Sequence, residues 1–353
     1  MSILRRDPVS LGWVIFPTDR PFRKEHAHED DERDSPEQCP FCPGHEAETL
    51  PEISAYRPPG SGKDSAGWRV RTVPNKYALL RIEGKFDRRG EGLYDMMNAV
   101  GAHEVLIETP DHDARFHEYP VTTIEEIMRM ARDRVKDLTL DTRFRYIQVF
   151  RNHRRRAGET MTHPTSQIIA LPVVPRWVRE EINQARDHYL QKERCIFCDI
   201  INQDTRGPRM ICENEAFVAL APYASRFPYE CWIYPKDHAH LFQSINDSGL
   251  TALADIMKTV FSALHAVLDD PAYNMIIHQA PAQPEKFYHD VRARVNDFYH
   301  WHIEVLPRVV RVSGFEYGTG FYVNPVLPET AAADYRGKIQ ILDESTGRLK
   351  AID

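Results

Sequence analysis

The sequence has no long apolar run and no excess of basic charge. Among its 353 residues no stretch approaches the roughly 18 consecutive apolar residues that a membrane-spanning helix needs. The first six residues carry two arginines without an apolar segment behind them, so a secretory signal peptide is not expected. With 45 basic and 52 acidic residues, the chain is not expected to bind nucleic acid or a membrane surface.

Cysteine is also scarce. Four of the six cysteines form two Cys-x-x-Cys pairs, Cys39/Cys42 and Cys195/Cys198. Since no signal peptide is expected, we predict a cytoplasmic protein, whose cysteine pairs hold metals or react as redox pairs rather than forming structural disulfides. A redox role stays open for either pair, although two pairs in matching surroundings favour metal.

Two segments, 162–172 and 300–307, are predicted strands that carry histidine and other polar side chains at alternate positions and end in proline, which cannot donate to a sheet. Side chains alternate between the faces of a strand. The polar faces therefore contain His163, Thr165 and Gln167 in the first segment, and His300, His302 and Glu304 in the second. Each segment follows a Cys-x-x-Cys pair at a distance, so both halves of the chain carry the same landmarks.

The order of the remaining elements also repeats. A Cys-x-x-Cys pair is followed by strands, a helix, a further strand and a histidine strand, which predicts an α+β fold with an internal repeat. In the first half a capping box of Thr123 with Glu126 predicts the helix start, and a second long helix is expected at 249–268. Strands are predicted at 13–17 (as an edge strand), 69–73, 77–81, 103–108, 144–150, 217–221, 230–234 and 273–278.

Zinc takes four tetrahedral ligands, usually thiolate sulfur and imidazole nitrogen. Each cysteine pair supplies two, and histidines at corresponding places can complete each set. The predicted zinc ligands are Cys39, Cys42, His112 and His163 in the first half, and Cys195, Cys198, His238 and His300 in the second. Closed four-ligand sites are structural, so we expect two zinc ions per chain that brace the fold.

An imidazole two residues beyond a zinc-bound histidine is well placed to attack phosphorus, because it is neutral near pH 7 and can form a covalent intermediate. In the second half His302 occupies that place. In the first half the place is taken by Thr165, whose hydroxyl is a poor nucleophile without a base. The candidate catalytic residues are therefore Thr165, Gln167 and His302.

Several motifs together resemble the galactose-1-phosphate uridylyltransferase branch of the histidine-triad superfamily. The chain is most similar to its two-zinc, adenylyl-transferring members, such as ADP-glucose phosphorylases and adenylylsulfate:phosphate adenylyltransferases. The resemblance runs nearly end to end. It is carried by residues 6–8 and 13–15, Cys39 to Cys42, 73–77, 101–105, 150–152, 163–167, Cys195 to Cys198, 300–304 and 318–321.

The resemblance implies two histidine-triad-like domains, at 1–174 and 175–353, each an antiparallel sheet with packed helices. It also implies a homodimer, and ping-pong transfer through a nucleotidyl-histidine. Asn75 falls where the family contacts the nucleoside. The positions of the family's phosphate contacts are occupied here by Asn152, Thr160 and Gln167.

Two positions depart from the family pattern. The family's His-Pro-His-x-Gln motif reads His163-Pro164-Thr165-Ser166-Gln167, so Thr165 stands at the nucleophile position. In uridylyltransferases a carboxylate in the C-terminal tail binds the sugar hydroxyls. Here Tyr322 or a neighbour stands at that position, which favours an adenylyl donor over a galactose acceptor.

Three functions follow as hypotheses. The first is a nucleotidyltransferase that moves a nucleoside monophosphate between a phosphate- or sulfate-bearing donor and a phosphate acceptor. We predict that this nucleotide is AMP. The alternative enzyme of this class is a UDP-hexose:hexose-1-phosphate uridylyltransferase. The second is a nucleotide-binding protein that Thr165 has disabled as an enzyme. A zinc-stabilised nucleic-acid-binding module comes last, because the chain has a net charge of −7.

Overall fold

A computed structural model of the chain describes residues 1–17, 19, 22, 33–282 and 293–346. In these residues the strands are β1 Ile3–Arg6, β2 Trp13–Phe16, β3 Ser54–Tyr56, β4 Val70–Pro74, β5 Arg89–Glu91, β6 Tyr94–Met96, β7 Ala102–Ile107, β8 Tyr146–His153, β9 Thr165–Leu171, β10 Met210–Glu213, β11 Phe217–Leu220, β12 Cys231–Pro235, β13 Tyr273–His278, β14 His302–Pro307 and β15 Tyr322–Val323. The α-helices are α1 Val121–Thr139, α2 Arg176–Lys192, α3 Ile196–Asp204, α4 Asp247–Leu268, α5 Val295–Phe298, α6 Gly314–Thr319 and α7 Pro328–Thr346.

Ten strands form one continuous sheet in the order β10-β11-β12-β14-β13-β8-β9-β7-β4-β3. The five strands at one end come from the first half of the chain, and the five at the other end from the second half. They meet at the antiparallel pair β8–β13, where Asn152 lies opposite Asn274. The predicted α+β class is confirmed, and the two expected sheets are joined edge to edge. The division at residue 174 stays a prediction.

One face of this sheet, which we call the helix face, is covered by α1 and α4. Its inward residues, such as Val149, Ile168, Ile277 and Val305, belong to one buried apolar cluster with both helices. Burying an aliphatic side chain of this size stabilises the fold by about 1.5–3 kcal/mol. The helix face therefore holds the two halves together as a single core.

The opposite face, which we call the site face, differs between the two halves. In the second half α2 and α3 cover it, and Ile182 and Phe197 pack against Trp232 and Tyr234 in a second buried cluster. In the first half Thr165 and Gln167 stay half-buried on this face. The same strand architecture thus presents one closed and one more open surface.

Helix α4 is the one helix in the described ranges that is long and apolar enough, by length and composition, to cross a membrane. Most of it is covered, however: 61% of its most apolar 18-residue window is buried inside the protein. Such burial is typical of the core helix of a globular domain, and α4 packs against both α1 and α7.

The N-terminal strands join the C-terminal part of the chain. Strand β2 lies between β1, which is antiparallel to it, and β15, which is parallel to it. The prediction of an edge strand at 13–17 was therefore wrong, because the tail supplies β15 as a second neighbour. This pairing places Tyr322 beside Val14 and against Phe227, with ring centroids 5.5 Å apart.

Two further local predictions were wrong. Helix α1 starts at Val121, with Pro120 as its N-cap and no side-chain capping bond. The N–H of Thr123 already bonds to the Pro120 carbonyl, so the predicted capping box lies inside the first turn. The strand predicted at 77–81 is absent from the described structure, because the Asn75 side chain accepts the Tyr77 N–H at 2.8 Å and turns the backbone away from extended pairing.

Candidate active site and metal centres

The first predicted ligand set is assembled in the structure. The ligand atoms of Cys39, Cys42, His112 and His163 all lie within 4.8 Å of one another, and the four residues are buried. The Cys42 sulfur lies 3.3 Å from Nδ1 of His112 and 3.6 Å from Nδ1 of His163. The Cys39 sulfur lies 3.6 Å from Nδ1 of His163. Two sulfurs and two imidazole nitrogens therefore converge on one point.

The second set repeats this arrangement with Cys195, Cys198, His238 and His300, again within 4.8 Å. The Cys198 sulfur lies 3.3 Å from Nδ1 of His238 and 3.5 Å from Nδ1 of His300. Here Cys198 is half-buried and His238 is exposed, so this centre lies nearer to solvent than the first.

All four histidines carry the same second contact. Each places Nε2 close to a backbone carbonyl. The pairs are His112 with Asp34 at 3.0 Å, His163 with Thr109 at 2.8 Å, His238 with Asn296 at 2.9 Å and His300 with Pro235 at 2.9 Å. A carbonyl can only accept, so Nε2 carries the hydrogen and Nδ1 turns its lone pair toward the sulfurs. Such a second contact is typical of metal-binding histidines, and the donor set fits zinc.

The cysteine thiols of the two centres differ in acidity. Burial raises the pKa of Cys42 to about 12, so this thiol gives up its proton when a cation takes the proton's place. In the second centre the hydrogen bond from Cys195 lowers the pKa of Cys198 to about 3. Thiolate is therefore already favoured at Cys198, which suits a cation ligand.

Thr165 lies at the start of β9, where it pairs with Ile107 of β7. The metal-set residue His163 precedes this strand by two positions rather than lying within it as predicted. The Thr165 side chain is half-buried, and its hydroxyl makes no hydrogen bond to any residue that the structure describes. No general base therefore contacts Thr165 in the described part of the chain.

Behind Thr165, on the helix face, lies a buried ion pair. The guanidinium of Arg151 donates through Nε to both carboxylate oxygens of Glu108, at 3.0 and 3.1 Å. The hydroxyls of Ser166 and Tyr119 also donate to this carboxylate, at 2.7 and 3.2 Å. Because Ser166 belongs to β9, this network holds the strand that presents Thr165.

The structure brings Asn75 and Gln167 together through a third residue, His103. Nε2 of His103 lies 2.8 Å from Oε1 of Gln167 and 3.1 Å from Nδ2 of Asn75. His103 lies within the 101–105 motif, but the sequence pattern did not indicate a role for it. A signal was present, because a histidine in a mainly apolar strand such as 102–107 needs a buried hydrogen-bond partner.

The other two predicted nucleotide contacts lie at the end of β8 and in the loop after it. Asn152 donates to the carbonyl of Gly158 at 3.2 Å and accepts from Asn274 at 2.8 Å. Since Arg151 lies opposite Ser166, Asn152 is next to Thr165 in the sheet. Thr160 is exposed in the loop between β8 and β9. Asn152 therefore lies on the side of β9 away from β7 and the Asn75 loop.

His302 occupies the place in β14 that Thr165 occupies in β9, but it lies in the closed half of the site face. It is fully buried, with its ring 5.3 Å from Phe197 and 5.2 Å from Trp232. Its Nδ1 donates to the His300 carbonyl at 3.1 Å. Burial lowers the pKa of His302 to about 4, so the ring is neutral. Its catalytic role stays a prediction, and it would require the closed half of the site face to open.

Charged side chains surround His302 in the closed half of the site face. The His278 ring donates through Nδ1 to the two oxygens of Glu181, at 3.0 and 3.1 Å. Glu304 binds Arg226 at 2.6 Å, and Tyr299 donates to Glu181 at 2.9 Å. A cavity of about 280 Å³ adjoins this group. The network ties α2 to the sheet beneath it.

This network predicts a pH-dependent stability. Burial opposes the charge of His278, but the carboxylates of Glu181 and Glu304 outweigh it and raise the pKa of His278 to about 9. An unfolded histidine titrates near 6.5, so the contribution is complete below about pH 6.5 and is lost as pH rises through about 9. We expect the free energy of unfolding to be about 3 kcal/mol lower above about pH 9 than below about pH 6.5.

Urea unfolding across this pH range should reveal the loss, with His278→Gln as the control. His302, Arg226 and Tyr299 also face the pair of His278 and Glu181, and they remain in both proteins. The variant should start less stable and show a flatter pH profile. If the stability of the two proteins changed with pH in parallel, the ion pair between His278 and Glu181 would be contradicted.

Comparison with known protein families gives two matches. A model described as a domain of unknown function (DUF4921) matches residues 110–346. A second model, the N-terminal domain of galactose-1-phosphate uridyl transferase, matches residues 15–175. Together they extend across nearly the whole chain.

Individual proteins are similar over almost their full lengths. ADP-glucose phosphorylase from Arabidopsis thaliana is 32% identical over 334 residues, which cover 93% of this chain and 91% of that protein. Galactose-1-phosphate uridylyltransferase from Thermotoga maritima is 28% identical over 344 residues, which cover 95% of this chain and 98% of that protein.

Solved structures are similar as well. A crystal structure of an Arabidopsis thaliana ADP-glucose phosphorylase with bound ADP-glucose has a TM-score of 0.79 and 31% identity, covering 95% of this chain and 99% of that one. A uridylyltransferase structure has a TM-score of 0.72 and 27% identity, covering 97% and 99%.

Proposed function

Because the chain belongs to the DUF4921 family and to the galactose-1-phosphate uridylyltransferase branch of the histidine-triad superfamily, we propose that it transfers AMP from a nucleotide sugar to phosphate. The chain is an enzyme of the nucleotidyltransferase class. The observation that carries the adenylyl assignment is the 32% identity with ADP-glucose phosphorylase along 93% of this chain.

The proposed substrate site is the open half of the site face. Asn75 would contact the base or ribose, and the amide of Gln167 would contact the transferred phosphoryl group. Asn152 and Thr160 would hold the phosphates from the opposite side. The support is positional: Asn75 and Gln167 both contact His103, and Asn152 lies beside Thr165.

The proposed reaction is a direct displacement. An oxygen of inorganic phosphate forms a bond to the α-phosphorus of ADP-glucose, and the bond from that phosphorus to the bridging oxygen breaks. The products are ADP and glucose 1-phosphate. A direct step is favoured over a covalent one because the Thr165 hydroxyl contacts no base in the described residues. Gln167 and neighbouring N–H donors would stabilise the charge on the phosphoryl oxygens.

We also propose two zinc ions per chain, one in each Cys2His2 set. The matching Nδ1 and sulfur geometry of both sets supports this. Zinc bound by four protein ligands leaves no position for substrate, so it would act as a structural brace. The first centre would fix His163 and hence the start of β9, two residues before Thr165.

Two alternatives have their own support. The match of residues 15–175 to the uridyl transferase domain and the 28% identity with the Thermotoga enzyme favour a UDP-hexose:hexose-1-phosphate uridylyltransferase. The presence of Thr165 at the family's nucleophile position favours a nucleotide-binding protein without turnover. A homodimer, which the family resemblance implies, and a cytoplasmic location remain proposals; the absence of a disulfide among the six cysteines supports the second.

A donor panel separates these functions. The native protein would be incubated with ADP-glucose or UDP-glucose, and with phosphate or galactose 1-phosphate as acceptor, and the nucleotide products would be separated by chromatography. We expect ADP from ADP-glucose with phosphate. UDP-galactose formed from UDP-glucose would support the uridylyl alternative, and tight binding without any product would support the binding protein.

A further inference from the structure

His103 is a buried ring with a fixed orientation. It lies in β7 with 7% of its surface exposed. Its Nδ1 accepts the backbone N–H of Leu79 at 3.2 Å. The backbone carbonyl of His103 in turn accepts the N–H of Asn75 at 2.8 Å. The ring is therefore held between the 75–79 loop and strand β9.

These contacts determine which ring nitrogen carries the hydrogen. A backbone N–H can only donate, so Nδ1 of His103 must offer its lone pair. In the neutral imidazole the hydrogen then lies on Nε2. Nε2 is 2.8 Å from Oε1 of Gln167, and this contact is a hydrogen bond from the ring to the amide oxygen.

The same bond orients the amide of Gln167. With Oε1 turned toward His103, the amide nitrogen and its two hydrogens point the other way. No hydrogen bond occupies this nitrogen within the described residues. If the amide rotated by half a turn, it would present its oxygen to the substrate's phosphoryl oxygens, which would repel it. The orientation thus decides whether Gln167 stabilises or opposes the charge that develops in transfer.

His103 also connects the two ends of the substrate site. Oδ1 of Asn75 accepts the Tyr77 N–H, so the Asn75 amide turns its nitrogen toward His103, at 3.1 Å from Nε2. Both nitrogens are donors, so this contact does not satisfy the Asn75 hydrogens. They remain available to a bound nucleoside.

We propose that His103 is a positioning residue, which holds Gln167 with its N–H donors toward the transferred phosphoryl group and links that amide to the Asn75 loop. This inference rests on the proposed function. It assigns His103 no contact with the substrate, and its effect passes through Gln167 alone.

The test compares His103→Met, which keeps the bulk but removes the donor, with His103→Gln, which offers an N–H at a similar reach. His103→Met should lower kcat for transfer from ADP-glucose to phosphate about 100-fold, the loss typical of one oxyanion donor, with a much smaller change in KM. His103→Gln should recover most of the rate. In a Gln167→Ala background, His103→Met should cause no further loss. An unchanged kcat in a stably folded His103→Met, or fully additive losses in the double variant, would overturn the proposal.

A spectroscopic readout does not depend on turnover. In protein labelled with ¹⁵N-histidine, the His103 signals, assigned by their absence in His103→Met, should show a protonated Nε2 and a bare Nδ1. The opposite tautomer would overturn the inference whether or not the protein is active. Failure of the proposed function would appear separately, as a native protein with the expected tautomer and no nucleotide product.

Discussion

Replacing Thr165 with histidine should give a protein that accumulates a covalent adenylyl group. The second half of the chain shows how the new ring would be held, because His302 at the corresponding place donates from Nδ1 to the carbonyl two residues before it. A histidine at position 165 can use the His163 carbonyl in the same way. Its Nε2 lone pair would then be free to attack phosphorus.

Intact-protein mass spectrometry after incubation with ADP-glucose measures this effect. The native protein should show no adduct, and Thr165→His should gain one adenylyl group per chain. Thr165→Asn is the matched control, since it changes the side chain without adding a nucleophile. A Thr165→His protein that is folded and binds ADP but never gains mass would contradict the placement of position 165. A native adduct that disappears in His302→Ala would instead assign catalysis to His302.

Removing one ligand of a proposed zinc centre should destabilise the fold more than any surface change. Cys39→Ser and Cys195→Ser should each lose one of the two proposed zinc ions per chain. Each should lower the free energy of unfolding by more than about 4 kcal/mol, a range that single substitutions reach by only a few mechanisms, among them the loss of a metal site. The first centre joins Cys39 and Cys42 to His112 after β7 and His163 before β9, so its loss also frees the strand that carries Thr165.

The matched control is Cys212→Ser. Cys212 is a half-buried cysteine of β10 that forms no disulfide and belongs to neither ligand set. It should keep both zinc ions and stay within about 1 kcal/mol of the native protein. Elemental analysis and denaturant unfolding give the two quantities. A native protein without zinc, or equal destabilisation by all three variants, would refute the structural role of the centres.

The sequence could predict the parts of the site that depend on local chemistry. Zinc accepts few ligand types, so two cysteine pairs and their histidines could be selected from the chain, and the structure brings both sets together. Strand alternation also placed β13 at its observed bounds, Tyr273–His278. Such features depend on residue type and short spacing, which the sequence carries directly.

Other features depend on contacts between distant segments. The pairing of β8 with β13, which merges the two halves into one sheet, has no local signature. Likewise, His302 and Thr165 occupy equivalent places, but only the packing of α2 and α3 closes the surface around His302. The role of His103 needed the Leu79 N–H, which comes from a loop 24 residues away and fixes the ring's tautomer.

The most direct test follows the fate of phosphate oxygen. Native protein would be incubated with ADP-glucose and ¹⁸O-labelled inorganic phosphate, and both products would be examined by mass spectrometry. Attack at the α-phosphorus predicts that the label enters the β-phosphate of ADP and that glucose 1-phosphate stays unlabelled. Label in glucose 1-phosphate, with unlabelled ADP, would mean attack at the sugar carbon and would contradict nucleotidyl transfer.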